Sequence, residues 1–442
     1  MCEVRRAVAE ALWGMCAADA VSMPVHWYYN TRDIRRDFGG WIRGLTAPRD
    51  THPSSILRLS STAGSGRTAG SNATTPPVVG NVILHDKLKF WTDPRRSVHY
   101  HQGLPAGGNT LNALCALRVM RVLSGGAFGA ADPEARAAVL SDYVEFMTRP
   151  GSHDDTYAES FHRSFFSDWQ ELRPTAPTEV LEFAERRSGR MLNSPRADGQ
   201  LNAIGCLPMA IPFVLMSASA NEEEAVGAAV EFVKLTHPHP ALEPLVSLYA
   251  RALHATLNGA CLKQQAETAL KSPALDAWDA CRQFVQRAER FPGSSEERLK
   301  VHQSAVESLG LACYTKGALS SLFYMAYSFH NDVTEGILTN TNCGAVWTLI
   351  LTAPIHCRGS TGENCNRGAA LGALLGARAA YLGSVVPQEW KDGLVDAPER
   401  IAGVLRDLNR SASEVLPTDV VSSLRCGRLS SRLYTCVSAF TF

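Results

Sequence analysis

The sequence predicts an all-α fold. Apolar and small residues recur every three or four positions through much of the chain, as they do along the buried face of an amphipathic helix. Alternating runs are almost absent, and only Val78–Leu84 is a modest strand candidate. The helical pattern is clearest in eight segments: Ala7–Ala20, Thr110–Leu123, Glu134–Met147, Glu179–Arg187, Glu222–Leu235, Leu242–Leu257, Glu297–Leu311 and Ala369–Leu382.

The last of these segments carries glycines at a regular spacing. Gly368, Gly372 and Gly376 fall on one face of the predicted helix. Each glycine costs about 1 kcal/mol in a helix interior, so three are tolerated where the face must approach another backbone closely. The polar loop that precedes them, Glu363–Asn366, is therefore expected to be held on a rigid, buried helix.

Charge and composition narrow the classes of partner. Lys+Arg and Asp+Glu both number 43 in 442 residues, which gives a formal net charge of +0. No basic stripe or acidic tail indicates nucleic acid or a charged membrane surface as a partner. No apolar run reaches about 18 residues, so no membrane span is predicted. The 12 cysteines form no C-x-x-C pair, which favours reduced thiols, and we expect a cytoplasmic location.

Composition also sets the expected domain organisation. Residues 46–77 are rich in Ser, Thr, Gly and Pro, which predicts a long disordered surface insertion. The segment lies within one helical domain of residues 1–409. Residues 410–442 lack a clear helical period and are expected to form a peripheral C-terminal tail.

Two polar clusters lie next to predicted helices in the first quarter of the chain. Asp19 falls inside an apolar helix and is followed by His26. A buried carboxylate without partners is costly, so Asp19 either has partners that satisfy it or serves a site. Asn109 and Thr110 precede another helix, where either could cap the first turn. The free N–H groups of that turn could bind an anion.

Two further clusters offer carboxylates. His153, Asp154 and Asp155 are adjacent, which is typical of catalytic sites, although Ser152 and Asp155 also have the spacing of a capping box that opens a helix. Asp198 stands in a polar turn before an apolar segment, where a plain loop-to-helix junction is the alternative.

Taken in order, these segments resemble the ADP-ribosylglycohydrolase family. That family has an acidic D-x-D-[TS] loop, a small-residue helix and then P-x-x-W, and this chain has Glu363–Asn366, the glycine helix and Pro387–Trp390. Asp19 matches the aspartate of the family's opening motif, and His26 stands where several members carry glutamate. The resemblance spans most of Val4–Leu394 and is nearest to a divergent branch that includes relatives of the lens J-crystallins and selenoprotein J. It implies the family's compact multi-helix fold.

The resemblance also implies a metal, and the sequence departs from the family there. The family binds two magnesium ions through [ST]-D-D-[TS] and D-x-D-[TS]. Asn109 replaces one of these aspartates, and Cys365 is a poor magnesium ligand. Glu363, with Asp19 nearby, remains as the charged ligand set, so magnesium is expected to bind weakly or to be lost.

The resemblance leaves two function classes open. One is hydrolysis of an ADP-ribose-type N- or O-glycosidic bond, with an ADP-ribose-like small molecule or an ADP-ribosylated protein as partner. The other is an inactive nucleotide-binding pseudoenzyme or a crystallin-like structural protein. Because charged ligands are missing, hydrolysis is expected to be slow or absent. A Cys365 thiolate with a histidine base is an alternative route.

The resemblance and the polar clusters together define the candidate residues. The candidate catalytic residues are Glu363, Asp19, His26, Asp155 and Cys365. The candidate ligand-binding residues are Asn109, Thr110, His153, Asp154, Asp198, Asn364 and Asn366.

Overall fold

The computed structural model describes residues 2–28, 30–64, 78–95, 97–343 and 363–414. These residues form 18 α-helices joined by short helical turns and loops. They contain no β-strand, and the extended pairing among them is limited to two isolated bridges, Thr51 with Val98 and Ala203 with Tyr314. The predicted all-α class is confirmed.

The first nine helices end at residue 236. They are α1 Cys2–Ser22, α2 Thr31–Phe38, α3 Leu88–Trp91, α4 Leu111–Gly125, α5 Pro133–Thr148, α6 Ser160–Trp169, α7 Pro177–Leu192, α8 Cys206–Met216 and α9 Glu222–Thr236. The other nine are α10 Leu242–Leu257, α11 Leu262–Lys271, α12 Trp278–Ala288, α13 Glu296–Leu309, α14 Thr315–Ser328, α15 Val333–Thr341, α16 Asn364–Tyr381, α17 Gln388–Gly393 and α18 Ala397–Glu414. The 3-10 turns are Met23–Val25, Leu57–Leu59, His85–Lys87 and Gly199–Leu201.

The strand expected at Val78–Leu84 is wrong. Gly80–Leu84 forms a single π-helical turn. A strand would place alternate residues on one side, but here Val79, Ile83 and Leu84 are buried while Val78 is 48% exposed. This spacing buries one side of a helical turn, which the short apolar run did not distinguish from a strand.

The centre of the fold is an antiparallel pair of helices, α1 and α16. Gly372 lies against Gly14, and a methyl group added at Gly372 would overlap the Gly14 carbonyl oxygen. Gly376 approaches the carbonyl of Glu10 in the same way. The expected close approach of the glycine face is confirmed, and it leaves no groove between the two helices. Helices α8, α10, α14 and α15 pack around α16.

The structure describes parts of the predicted surface insertion and of the predicted C-terminal tail. In the predicted insertion, His52 and Leu57 are buried, and the imidazole of His52 bonds to the carbonyl of His26 at 2.9 Å. Residues 65–77 lie outside the described residues. Helix α18 continues past the expected boundary at 409 to Glu414, and residues 415–442 are not described. Among the described helices, none has the length and apolar character needed to cross a membrane.

Candidate active site

The C-terminal end of α1 supplies the first carboxylate of the site, Asp19. Its carboxylate accepts hydrogen bonds from the Thr110 backbone N–H at 2.8 Å, the Thr110 hydroxyl at 2.7 Å and the Asn109 side-chain amide at 2.9 Å. Thr110 is the N-cap of α4 as expected, but its hydroxyl donates to Asp19 instead of capping its own helix. Burial raises the pKa of Asp19, and these hydrogen bonds oppose that rise.

The second carboxylate, Asp155, comes from the loop before α6. It accepts from the Leu111 backbone N–H at 2.7 Å and from His101 Nδ1 at 2.7 Å. Burial would raise its pKa, but the charge and hydrogen bond of His101 lower it below the usual value. The capping box expected at Ser152 is wrong, because α6 begins only at Ser160 and Asp155 instead satisfies the first turn of α4.

The anion site expected at the start of α4 is consequently not formed. The N–H groups of Thr110 and Leu111 already donate to the carboxylates of Asp19 and Asp155. The protein supplies the negative charge at this helix N-terminus itself.

A pair of buried histidines links Asp155 to the loop before α16. His26 Nδ1 and His101 Nε2 are 2.7 Å apart, and His26 Nε2 lies 3.1 Å from Glu363 Oε1. The ring planes differ by 7° and the ring centroids are 5.0 Å apart. A nitrogen separation of 2.7 Å is too short for stacked faces, so the two rings meet edge to edge. Asp155, His101, His26 and Glu363 thus form one continuous hydrogen-bonded chain.

Glu363 is the N-cap of α16 and is fully buried. One carboxylate oxygen accepts from the Asn366 backbone N–H at 3.2 Å and its side-chain amide at 3.0 Å, and the other accepts from Trp27 Nε1 at 3.2 Å. Burial opposes ionisation, but His26 and these donors lower the pKa of Glu363. Trp27 has a φ of 64°, a strained value for a bulky residue that is common near functional sites.

A second glutamate lies beside Glu363. The carboxyl group of Glu159 accepts from the Asn366 side-chain amide at 2.6 Å and from the Asn112 side-chain amide at 2.9 Å. The residue is partly exposed, yet this end points inwards against Gly205, where a methyl group would overlap it. Burial of the carboxyl, followed by the negative charge of Glu363, raises the pKa of Glu159 to about 8. One amide nitrogen therefore joins two carboxyl groups whose pKa values shift in opposite directions.

Two further histidines near the site are structural. His52 Nε2 meets the carbonyl of His26 at 2.9 Å, and His99 Nε2 meets the carbonyl of Pro24 at 3.1 Å. Burial lowers the pKa of His52 to about 3 and that of His99 well below its usual value, so both stay neutral. Their hydrogen bonds fix the backbone that positions His26.

Cys365 is fully buried and packs with Met23 and Leu104. Its sulfur and one ring nitrogen each from His26 and His101 all lie within 4.8 Å of one another. Burial, together with the surrounding carboxylates, raises the pKa of the Cys365 thiol well above its usual value. The thiol therefore stays protonated, which counts against the thiolate nucleophile considered from the sequence.

The predicted site residues fall into three groups: members of the network or its contacts, buried residues that face elsewhere, and two aspartates in loops. Those in the connected network or touching it are Asp19, His26, Asn109, Thr110, Asp155, Glu363, Cys365 and Asn366. Asn364 faces away, with its amide directed to the carbonyls of Val25 and Thr341. His153 is buried beside the Phe146 ring. Asp154 is exposed, and Asp198 caps the short turn after it by accepting from Gln200 N at 3.0 Å. No hydrogen bond in the described ranges joins either aspartate to the network.

The network also contains Trp27, His101, Asn112 and Glu159, none of which was among the predicted site residues. Only the His-x-His pattern at His99 and His101 gave a local signal. The others are brought in by contacts between segments distant in sequence, which no short motif records.

The carboxylates of the network do not fit the two magnesium ions that the resemblance implies. Both oxygen atoms of each of Asp19, Asp155 and Glu363 already accept hydrogen bonds from protein donors. Magnesium prefers charged oxygen ligands in near-octahedral order, whereas the three side chains gathered between these carboxylates, His26, His101 and Cys365, offer two imidazoles and a thiol.

Comparison with known proteins identifies a family for this chain. The family model for ADP-ribosylglycohydrolase matches residues 3–418. A solved structure described as "ADP-ribosylglycohydrolase-related protein complex" is 16% identical, with 93% of this chain and 100% of that chain covered and a TM-score of 0.44. A similarity of that size carries no conclusion about function. No curated protein matches the chain.

Proposed function

Because the chain belongs to the ADP-ribosylglycohydrolase family, we propose that it hydrolyses an ADP-ribose-type N- or O-glycosidic bond, with Glu159 as the acid and Glu363 as the ionised partner. The observation that supports this proposal is the pair of carboxyl groups on the Asn366 amide nitrogen, at 2.6 and 3.0 Å. Their pKa values are shifted apart, upwards for Glu159 and downwards for Glu363.

Glycosidic cleavage requires both roles. The bond from the anomeric carbon to the leaving group breaks through an oxocarbenium-like state, so the leaving atom needs a proton and the sugar needs nearby negative charge. With a pKa of about 8, Glu159 holds a proton at neutral pH and can donate it. Glu363 stays ionised and stabilises the positive charge. Water then adds its hydroxide to the anomeric carbon, and its proton returns to Glu159.

The histidine chain serves Glu363 in this scheme. His26 lies 3.1 Å from its carboxylate and is held from behind by His101, which bonds in turn to Asp155. This arrangement keeps the carboxylate of Glu363 ionised and fixed in direction. Pre-set charge of this kind is usually the largest contribution to catalysis.

The substrate class comes from the family. An ADP-ribose-like small molecule or an ADP-ribosylated protein is the substrate that family membership supports. The proposed steps use the two glutamates, the histidine chain and water, and magnesium takes no part in them.

A second function, a nucleotide-binding pseudoenzyme or a crystallin-like structural protein, is favoured by one observation. Asp19, Asp155 and Glu363 have every carboxylate oxygen matched with a protein donor. A network satisfied in this way rigidifies a core without any ligand.

The deciding experiment is an assay of the purified chain on arginine- and serine-linked ADP-ribosyl peptides, with and without EDTA. Wild-type turnover should survive EDTA, fall as the pH rises through about 8 where Glu159 deprotonates, and drop by roughly 100-fold or more in Glu159→Gln and Glu363→Gln. The matched control is Asp154→Asn, an exposed carboxylate outside the network, which should keep wild-type turnover.

Two results would contradict the proposal. Turnover unchanged in both glutamine variants would remove Glu159 and Glu363 from the chemistry. No turnover in the wild type, with ADP-ribose still raising its melting temperature, would support the pseudoenzyme instead. Circular dichroism of each variant checks that its helices are intact.

A further inference from the structure

The geometry points to a binding site for a thiophilic divalent transition ion of the zinc class, with His26, His101 and Cys365 as its ligands. The three residues offer ligand atoms that all lie within 4.8 Å of one another, and all three are buried. This site goes beyond the proposed hydrolysis and does not depend on it.

The first argument is the direction of the two histidine rings. His101 presents Nδ1 to Asp155 at 2.7 Å and His26 presents Nε2 to Glu363 at 3.1 Å. An ionised carboxylate only accepts, so each ring carries its hydrogen on that outer nitrogen. The two inner nitrogens then face each other at 2.7 Å with their lone pairs in nearly one plane. Two lone pairs this close repel unless a cation, either a proton or a metal ion, lies between or beside them.

The second argument is the support behind each ring. Metal-binding histidines almost always donate their other ring N–H to a carboxylate or carbonyl, which fixes the tautomer and strengthens the ligand. Both rings here have this partner, Asp155 for His101 and Glu363 for His26.

The third argument is the chemical type of the remaining ligand. Cys365 adds a sulfur, and its neighbours are Met23 and Leu104. Two imidazoles and a sulfur select zinc-class ions and disfavour magnesium. Three protein ligands are also the number found in zinc sites that keep a fourth position for water.

The local charge favours a cation at this point. Glu363 and Asp155 bond directly to the two ring ligands at 3.1 and 2.7 Å, so two carboxylates lie next to the proposed ion position. The same negative charges attract a divalent ion. When the ion binds, the thiol proton and the proton shared by the two rings leave to solvent, and sulfur–metal and nitrogen–metal bonds replace them.

Binding requires the three ligands to rearrange, because two ring nitrogens that face each other head-on must turn to point at one ion. Tetrahedral zinc holds its nitrogen ligands at about 2.0–2.1 Å, which separates them by about 3.3 Å from each other. The two ring nitrogens therefore have to open from 2.7 Å. The expected stoichiometry is one ion per chain.

The test uses the full chain, stripped of metal with a chelator and titrated with Co²⁺ as a spectroscopic probe for zinc. We expect one equivalent to bind, with a thiolate-to-cobalt charge-transfer band in the near ultraviolet. Zn²⁺ should displace the cobalt, and Mg²⁺ at millimolar concentration should not. Cys365→Ser should abolish the charge-transfer band, and His101→Gln should weaken binding by roughly 100-fold or more.

The control is Cys115→Ser, which changes another buried thiol, on α4, outside the three ligands. It should bind cobalt as the wild type does. A folded wild-type chain that shows no charge-transfer band, or a band unaffected by Cys365→Ser, would overturn the site. The first result would leave a proton as the cation between the two rings. Because the readout is a spectrum, it is independent of whether Glu159 and Glu363 catalyse hydrolysis.

Discussion

Asp19 and Glu363 are both fully buried carboxylates beside the start of a helix, yet their surroundings differ. Among the described residues, Asp19 accepts hydrogen bonds from Asn109 and Thr110, through an amide, a hydroxyl and a backbone N–H. Glu363 also accepts from Trp27 and Asn366 and lies 3.1 Å from the imidazole of His26. The pKa of Asp19 is raised by burial, whereas that of Glu363 is lowered.

The difference shows that burial alone does not decide what a carboxylate does. Asp19 accepts hydrogen bonds from donors without charge, which make it a fixed cap for α4. An imidazole on one side and the protonated Glu159 on the other make Glu363 part of a system that can move protons. We therefore expect Asp19 to matter for stability, and Glu363 and Glu159 for pH dependence and chemistry.

The largest expected effect is on Asp19. Asp19→Ala leaves the Thr110 N–H and hydroxyl and the Asn109 amide without their acceptor. Each buried unsatisfied group costs about 1–3 kcal/mol, so the free energy of unfolding should fall by at least about 3 kcal/mol. Urea unfolding measures it, and the exposed control Asp154→Ala should change the value by less than about 0.5 kcal/mol. If the two variants lowered the free energy of unfolding equally, Asp19 would not be a structural cap.

The next largest effect on stability is expected in the α1–α16 pair, which carries Asp19 within α1 and Glu363 at the start of α16. Gly372→Ala places a methyl group on the Gly14 carbonyl. Overpacking of this kind costs about 1–3 kcal/mol, read from the urea midpoint. Gly227→Ala on α9 meets no atom within 4 Å and should instead stabilise by about 0.5–1 kcal/mol. A Gly372→Ala chain as stable as the wild type would show that the two helices can separate without cost.

The close packing of α16 against another backbone could be predicted from the sequence because the pattern that indicates it is local. Helical periodicity and the spacing of Gly368, Gly372 and Gly376 follow from one segment at a time, and both are confirmed. Helices such as α2 (Thr31–Phe38) and α12 (Trp278–Ala288) were not predicted, since each is short and rich in charge.

The site was harder to predict because its contacts cross the chain. Asp155 caps α4, 44 residues away, instead of its own helix. Glu159 meets Asn366 across 207 residues. A motif shows which residue types are present, but which donor satisfies which carboxylate depends on the packing.

A smaller effect is expected on the pH dependence of stability, to which Glu159 and Glu363 contribute in opposite directions. The pKa of Glu159 is about 8 in the folded chain and 4.5 ordinarily, so its stabilisation is full below pH 4.5 and is lost as the pH rises through 8. The pKa of Glu363 is lowered, so its stabilisation is present above pH 4.5 and is lost on acidification. Glu159→Gln should reduce the fall in the free energy of unfolding between pH 4.5 and 8. The expected reduction is on the order of 1 kcal/mol, because solvent screens a partly exposed group.

Urea unfolding across that pH range measures this contribution, and Asp154→Asn serves as the exposed-carboxylate control. A slope unchanged in Glu159→Gln would mean that Glu159 titrates as an ordinary glutamate. The two glutamates would then no longer have opposite roles, and the proposed acid would be lost with them.

The smallest effect is expected outside the network. The carboxylate of Asp198 accepts a hydrogen bond from Gln200 N, within a turn of three residues, Gly199–Leu201. Loss of such a cap costs about 0.5–2 kcal/mol in a full helix, and because this cap serves only a short turn, Asp198→Ala should cost less than about 1 kcal/mol. ADP-ribose binding, measured by calorimetry, should be unchanged. Weaker binding in this variant, at unchanged stability, would extend the ligand site to a carboxylate that the hydrogen-bonded network does not reach.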